Sequence, residues 1–220
     1  MPPDPAKQLN LWKKQLGRVP QDVWAQTQLE SLILADNGLT EVSEQIGQLR
    51  NLRMLDLGHN ALTRLPEAIG DLTGLSDFLY LHDNRLTCLP ESLGALKKLR
   101  YLNIGENSFA ELPSAICAME GLVELRASDN ELAALPDCVG QWTRLRELLL
   151  RNNRLTKLPD SMGGLRELRQ MDLRGNPLES LPECLTQLRK LDKIDLRWVT
   201  TLEEPPWMEV LRARGCLIYW

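Results

Sequence analysis

Seven asparagines punctuate this chain at a nearly constant spacing. Asn37, Asn60, Asn84, Asn107, Asn130, Asn153 and Asn176 are 23 residues apart, except that 24 separate Asn60 from Asn84. The stretch 145–167, LRELLLRNNRLTKLPDSMGGLRE, shows the whole unit. Leucines fall at L-x-x-L-x-L, the Asn follows three residues after the third, and L-x-x-L-P and a second apolar pair complete it. Self-similarity at such a period means a solenoid, in which no unit can bury its apolar residues alone and each coil packs only on its neighbours.

Each part of the unit has a physical reading. L-x-L alternates inward leucines with outward residues, the period of a short strand, so stacked coils build one parallel sheet. The Asn falls where the chain turns sharply and leaves backbone groups inside the tube, and its amide can both donate to and accept from them. The Pro fixes φ and starts the opposite, convex segment. There a core residue (Ile46, Ile69, Leu93, Ile116, Val139, Met162 or Leu185) is usually followed by Gly, at Gly47, Gly70, Gly94, Gly140 and Gly163. That predicts convex helices of only one or two turns.

This skeleton resembles the leucine-rich repeat family. The L-P-x-x-(I/L)-G-x-L half looks like its 23-residue subclass, found in bacterial effectors, plant Ras-group-related intracellular proteins and animal scaffolds. The expected fold is therefore α/β: a curved horseshoe with a parallel concave sheet, short convex helices or 3-10 turns, and a cap at each end. The resemblance also implies a non-catalytic module for protein recognition.

In chain order, residues 1–28 read as an N-terminal cap with a degenerate first repeat. Leu9, Leu11, Leu16, Val19, Val23 and Leu29 keep core columns, but the Asn is missing, and residues 1–6, with three prolines, are expected to fray. Residues 29–190 hold seven regular repeats. Residues 191–220 read as a terminal repeat and C-terminal cap, with an amphipathic helix between Pro206 and Gly215 presenting Trp207, Val210 and Leu211 on one side, and CLIYW as a last strand. The extra residue of the 24-residue coil lies between Leu75 and Leu79. It is either a silent insertion or a small bulge that re-aims Phe78.

Composition removes several function classes. Net charge is −4 with 25% charged residues, so no bulk basic field favours nucleic acid. No run of apolar residues is long enough for a membrane span, and the N-terminus lacks the pattern of a secretory signal. Of the five cysteines, Cys138 and Cys184 share a column two coils apart, roughly 10 Å, too far for a disulfide, and Cys88 and Cys117 fall in other columns. Free thiols are expected, and with them a cytoplasmic setting, in the producing cell or a host. A monomer without cofactor is expected.

No catalytic or metal constellation assembles. The two histidines, His59 and His82, lie one coil apart, and Asp36, His59, Asp83 and Glu106 share one column along an open strand surface without the convergence a metal needs. The outward strand columns carry more information. Six before each Asn the chain reads Gln8, Ser31, Met54, Phe78, Tyr101, Glu124, Glu147, Gln170 and Lys193. Four before, it reads Asn10, Ile33, Asp56, Tyr80, Asn103, Arg126, Leu149, Asp172 and Asp195. Two before, it reads Trp12, Ala35, Gly58, His82, Gly105, Ser128, Arg151, Arg174 and Arg197.

Phe78, Tyr80 and Tyr101 cluster in two adjacent coils, with Met54 and His82 beside them and Gly58 and Gly105 leaving room next to the imidazole. Such a cluster is either a binding hot spot or cross-strand packing. The lane Arg126, Arg151, Arg174 and Arg197 either steers an acidic partner or is neutralised by Glu124, Glu147, Asp172 and Asp195. These residues, from Met54 to Arg197, are the candidate partner-binding set, with a protein as partner. The alternative is the substrate-recognition domain of a larger enzyme or secreted bacterial effector.

Overall fold

The computed structural model describes residues 4–220. Ten parallel strands of three residues each form one sheet in chain order. They are β1 Gln8–Asn10, β2 Ser31–Ile33, β3 Met54–Asp56, β4 Phe78–Tyr80, β5 Tyr101–Asn103, β6 Glu124–Arg126, β7 Glu147–Leu149, β8 Gln170–Asp172, β9 Lys193–Asp195 and β10 Leu217–Tyr219. Column partners read from the sequence are register partners here: Phe78 lies opposite Met54 and Tyr101, and Tyr101 opposite Glu124. The central residue of each of β2 to β9 points inward and is buried, from Leu32 to Ile194. Stacked leucines, isoleucines and valines fill the tube, each worth roughly 1.5–3 kcal/mol relative to exposure.

The convex segments are five-residue 3-10 turns, from Gln21–Ala25 to Glu183–Gln187. Their shortness follows from how closely they stack. A Cβ at Gly70 would come within 2.4 Å of the Ser92 carbonyl oxygen of the next coil, so glycine there lets successive turns touch.

The asparagines close each coil onto the one before it. Asn84 donates from Nδ2 to the Leu81 and His82 carbonyls of its own coil and to Leu57 O of the preceding one. Its Oδ1 accepts the preceding coil's Leu62 N–H. Asn107, Asn130, Asn153 and Asn176 repeat this arrangement through Leu86, Phe109, Leu132 and Leu155. One amide thus satisfies groups that the sharp turn would otherwise bury unpaired. The residue immediately before each Asn takes a left-handed conformation: Asp36, His59, Asp83, Glu106, Asp129, Asn152 and Gly175 all have φ between 49° and 66°. Trp198 continues the column at φ 65°, an unusual conformation for so bulky a side chain.

The extra residue of the 24-residue coil is absorbed before β4 at Ser76 and Asp77. In other coils one carbonyl accepts from two successive N–H groups of the next, as Arg100 O does from Val123 and Glu124. Here Ser76 O accepts from Arg100 and Asp77 O from Tyr101, so two residues oppose one. Phe78 keeps its column, and the bulge does not re-aim it.

At the N-terminal end, residues 1–3 of the segment expected to fray lie outside the described residues. Pro5–Lys7 instead form a 3-10 turn, with the Asp4 side chain accepting the Ala6 N–H. Trp24, in the column later filled by glycine, is buried against the core. At the other end α1, Met208–Ala213, packs Met208 and Leu211 inward. Val210 is exposed, because positions i and i+3 set the apolar stripe of so short a helix rather than the expected Val210 with Leu211.

One expectation about cysteines fails. Cys117 and Cys138 form a disulfide with Cα atoms 5.5 Å apart, while Cys88, Cys184 and Cys216 are free. Comparison within a single column missed this pair. Cys117 occupies the glycine slot, and that slot packs on the residue two columns earlier in the next coil: a Cβ at Gly163 would lie 3.2 Å from Cys184 Cβ. The cysteines therefore supply no argument for a reducing compartment.

Candidate functional site

The aromatic cluster assembles on the open face of the sheet. Ring centroids are 5.9 Å apart for Phe78 and Tyr80, 5.4 Å for Phe78 and Tyr101, and 5.0 Å for Tyr80 and Tyr101. The three are not equivalent. Phe78 is 41% exposed, the only large apolar side chain of β1 to β9 exposed to that degree among the described residues. Tyr80 is half-buried, and Tyr101 is 8% exposed. Tyr101 is the floor of the cluster, with the Arg126 guanidinium 5.4 Å from its ring centroid. Burial pushes the Tyr101 hydroxyl pKa up to about 12, so the phenol stays neutral at any physiological pH. Its alanine variant is therefore not the harmless surface change that an outward column suggests.

Phe78 stands as a ridge between two depressions. One, of about 410 Å³, is lined by Arg53, Asp77, Arg100, Tyr101, Val123 and Glu124. The other, of about 350 Å³, runs from Phe78 and Met54 toward Ile33 and Lys7. Met54 is half-buried, and its sulfur lies 3.6 Å from the Ser31 hydroxyl.

His82 sits differently from expectation. Its ring fills the space over Gly58, where a Cβ would approach Cε1 to 2.5 Å, and Gly105 instead faces Ser128 and Asn103. His82 Nε2 lies 3.1 Å from His59 Nε2, and His59 Nδ1 lies 2.7 Å from Asp83 Oδ2. Burial and the neighbouring His59 lower the His82 pKa, against Asp56, Glu106 and Asp83, which favour the cation. The imidazole is thus neutral near pH 7 and packed rather than free.

The arginine lane is neutralised from within. Arg174 makes a two-pronged contact with Asp172, at 2.9 Å from Nε and 2.6 Å from a terminal nitrogen. Arg197 grips Asp195 likewise at 2.9 and 2.8 Å. Arg126 Nε donates to Glu124 at 2.6 Å, and Arg151 to Asp129 at 2.9 Å. Burial would raise the Asp195 pKa, but hydrogen bonds from Arg197 hold it below the usual carboxylate range. Glu147 departs from the expected pairing. No cation bridges it among the described residues, and burial with the adjacent Glu124 raises its pKa.

One feature escaped the sequence reading. Trp198, 67% exposed, lies within 5.7 Å of the Arg174 guanidinium and 5.9 Å of that of Arg197, and Tyr219 stacks beside Arg197. Its signal was present, because Trp198 continues the column of Asp36, His59, Asp83 and Glu106. Among the described residues, no three His, Cys, Asp or Glu side chains gather as a metal site would need.

The repeat, the parallel sheet and the Asn ladder define a class of protein, and comparison with known families agrees. The leucine rich repeat profile matches residues 27–86 and 143–198. The chain belongs to the leucine-rich repeat family.

Three of the solved structures similar to this chain come from a bacterium and from plants. A Leptospira interrogans leucine-rich repeat protein, LIC12759, is 25% identical with a TM-score of 0.74, over 94% of this chain and 64% of its own. The ectodomain of the Arabidopsis thaliana membrane receptor kinase GASSHO1/SCHENGEN3, in complex with CASPARIAN STRIP INTEGRITY FACTOR 2, is 27% identical with a TM-score of 0.81, over 97% and 26%. The plant peptide hormone receptor RGFR1, in complex with RGF2, is 33% identical with a TM-score of 0.72, over 82% and 30%. This chain thus spans less than two thirds of each. No curated protein sequence matches it.

Proposed function

We propose that this chain is a protein-recognition module whose open sheet face holds a partner around Phe78 and Tyr80. The observation that carries this is Phe78, an exposed phenyl ring held between two depressions on a face where Arg126, Arg151, Arg174 and Arg197 already have carboxylate partners. Buried contacts to such an aromatic commonly contribute about 2 kcal/mol or more to a complex. Two similar structures are receptors solved with a bound partner, which supports the reading. In this role Met54, Phe78, Tyr80 and Tyr101 form the apolar centre, while His82 and Arg126 brace it. Arg151, Arg174 and Arg197 keep the neighbouring coils neutral.

The test is a selection of displayed random 12-residue peptides on the wild-type protein, with affinities then measured on Phe78→Ala and Tyr80→Ala. A loss of tenfold or more with an unchanged melting temperature supports the site. Unchanged affinities move it elsewhere on the molecule.

A second reading is recognition on behalf of a larger protein, since this chain matches only 26% of the length of the receptor kinase ectodomain. Binding by the isolated chain would look the same, and only the complete reading frame separates the two.

A further inference from the structure

The charges left over after internal pairing are not spread evenly around the aromatic cluster. Where the chain leaves the strands, Asp56 lies directly opposite Tyr80 in register, and Glu106 follows β5 by three residues. Neither has a cationic partner among the described residues; Asp56 only accepts the Gly58 N–H through one oxygen. Asp83 beside them meets the imidazole of His59, and the neutral His82 supplies no balancing charge. The opposite side of the cluster carries the reverse sign. Arg100 precedes β5, is exposed and makes no ion pair among the described residues, while Arg53 is matched by Asp77. Arg126 lies in the column of Asp56 and Tyr80, but its charge is held by Glu124.

We propose that the partner is a peptide segment with an apolar anchor over Phe78 and Tyr80 and one or more Lys or Arg side chains beside it, held by Asp56 and Glu106. The proposal rests on the reading of the open face as the binding surface and adds the chemistry and orientation of what binds there. It reverses the expectation of an acidic partner. The arginines that suggested one spend their charge on Asp172, Asp195, Asp129 and Glu124, whereas Asp56 and Glu106 have no cationic partner among the described residues and can meet a cation. An unpaired carboxylate at the rim of a desolvated aromatic patch raises encounter rate and selects against acidic competitors. A partner carrying the wrong sign would bring like charges together at the same place.

The test uses the peptides selected by display on the intact chain. Expected are sequences with an aromatic or branched apolar residue and Lys or Arg within about four positions of it. The double variant Asp56→Asn with Glu106→Gln should weaken them about tenfold in 50 mM salt, with a smaller loss in 500 mM. Glu41→Gln with Glu67→Gln removes the same net charge at exposed positions off the sheet face, and should change affinity less than twofold. Selected peptides without basic residues, or equal weakening by both double variants, overturn the proposal. If affinity depends on Phe78 but not on Asp56 and Glu106, the binding face stands and the cationic partner fails. If Phe78→Ala and Tyr80→Ala change nothing, or no peptide is selected, both fail.

Discussion

The two halves of the open face solve the same geometric problem differently. Around β4 and β5 the outward columns hold rings whose exposed edge meets solvent, and Asp56 and Glu106 beside them have no cationic partner among the described residues. Around β8 and β9 the same columns hold Asp172 and Asp195 clasped by Arg174 and Arg197, with Asp195 only 2% exposed. The second half is finished by its own side chains; the first is not. Charge in an outward column therefore says little until its partners are known, because self-pairing consumes much of what looks available for binding.

That contrast can be broken most directly at Asp195. Asp195→Ala should cost about 2 kcal/mol, since it leaves Arg197, Arg174 and Lys193 crowded over a buried position, discounted for the solvent that Arg197 retains. Asp56→Ala should stay within about 0.5 kcal/mol. Equal urea midpoints for the two variants would erase the distinction between the halves.

Within the aromatic half, Tyr101→Ala should destabilise by about 1–2 kcal/mol and Phe78→Ala by less than about 0.5, following their burial. The reverse order in thermal melts would mean that Phe78 supports the sheet instead of waiting for a partner.

A smaller effect concerns pH. The folded His82 pKa lies below its unfolded value, so the unfolded chain binds the proton first and stability falls as pH drops through the range of an ordinary histidine toward the folded pKa. The melting temperature should decline between pH 7.5 and 5 in the wild type, and less in His82→Asn. Identical slopes would remove His82 from the account.

The smallest change is expected at Glu147. Its pKa is raised by burial and by Glu124, so Glu147→Gln should leave stability unchanged or slightly higher at pH 7. Measurable destabilisation would reveal a cation partner and group β7 with the self-paired half around β8 and β9.

Why the fold could be read from the chain while the pairings could not follows from periodicity. A side chain's column is a matter of counting, so Leu79, Asn84 and Phe78 fell into place once the unit was recognised, even across the 24-residue coil. Contacts between different columns depend on the offset between neighbouring coils, which no single repeat displays. Cys117 meets Cys138, and Arg151 chooses Asp129 over Glu147, for that reason. Trp198 departs from its own column, which is polar or glycine in every earlier coil from Asp36 to Gly175, so no repeat foreshadows an aromatic ring there.

The direction of the asparagine bonds bears on how such a chain comes into being. Asn84 Oδ1 accepts from Leu62, and Asn107 Oδ1 from Leu86, so every turn is completed by a residue that follows it in the chain. A ribosome releases the N-terminal coil first. At about 5–20 residues per second, each finished turn must wait roughly 1–5 s for the amide that seals it. The growing protein thus travels with one unsealed coil at its leading edge, a place that moves along the molecule as synthesis proceeds. It comes to rest at the coil of Asn176, where Val199 replaces the next asparagine and the Thr201 hydroxyl donates to Leu178 O.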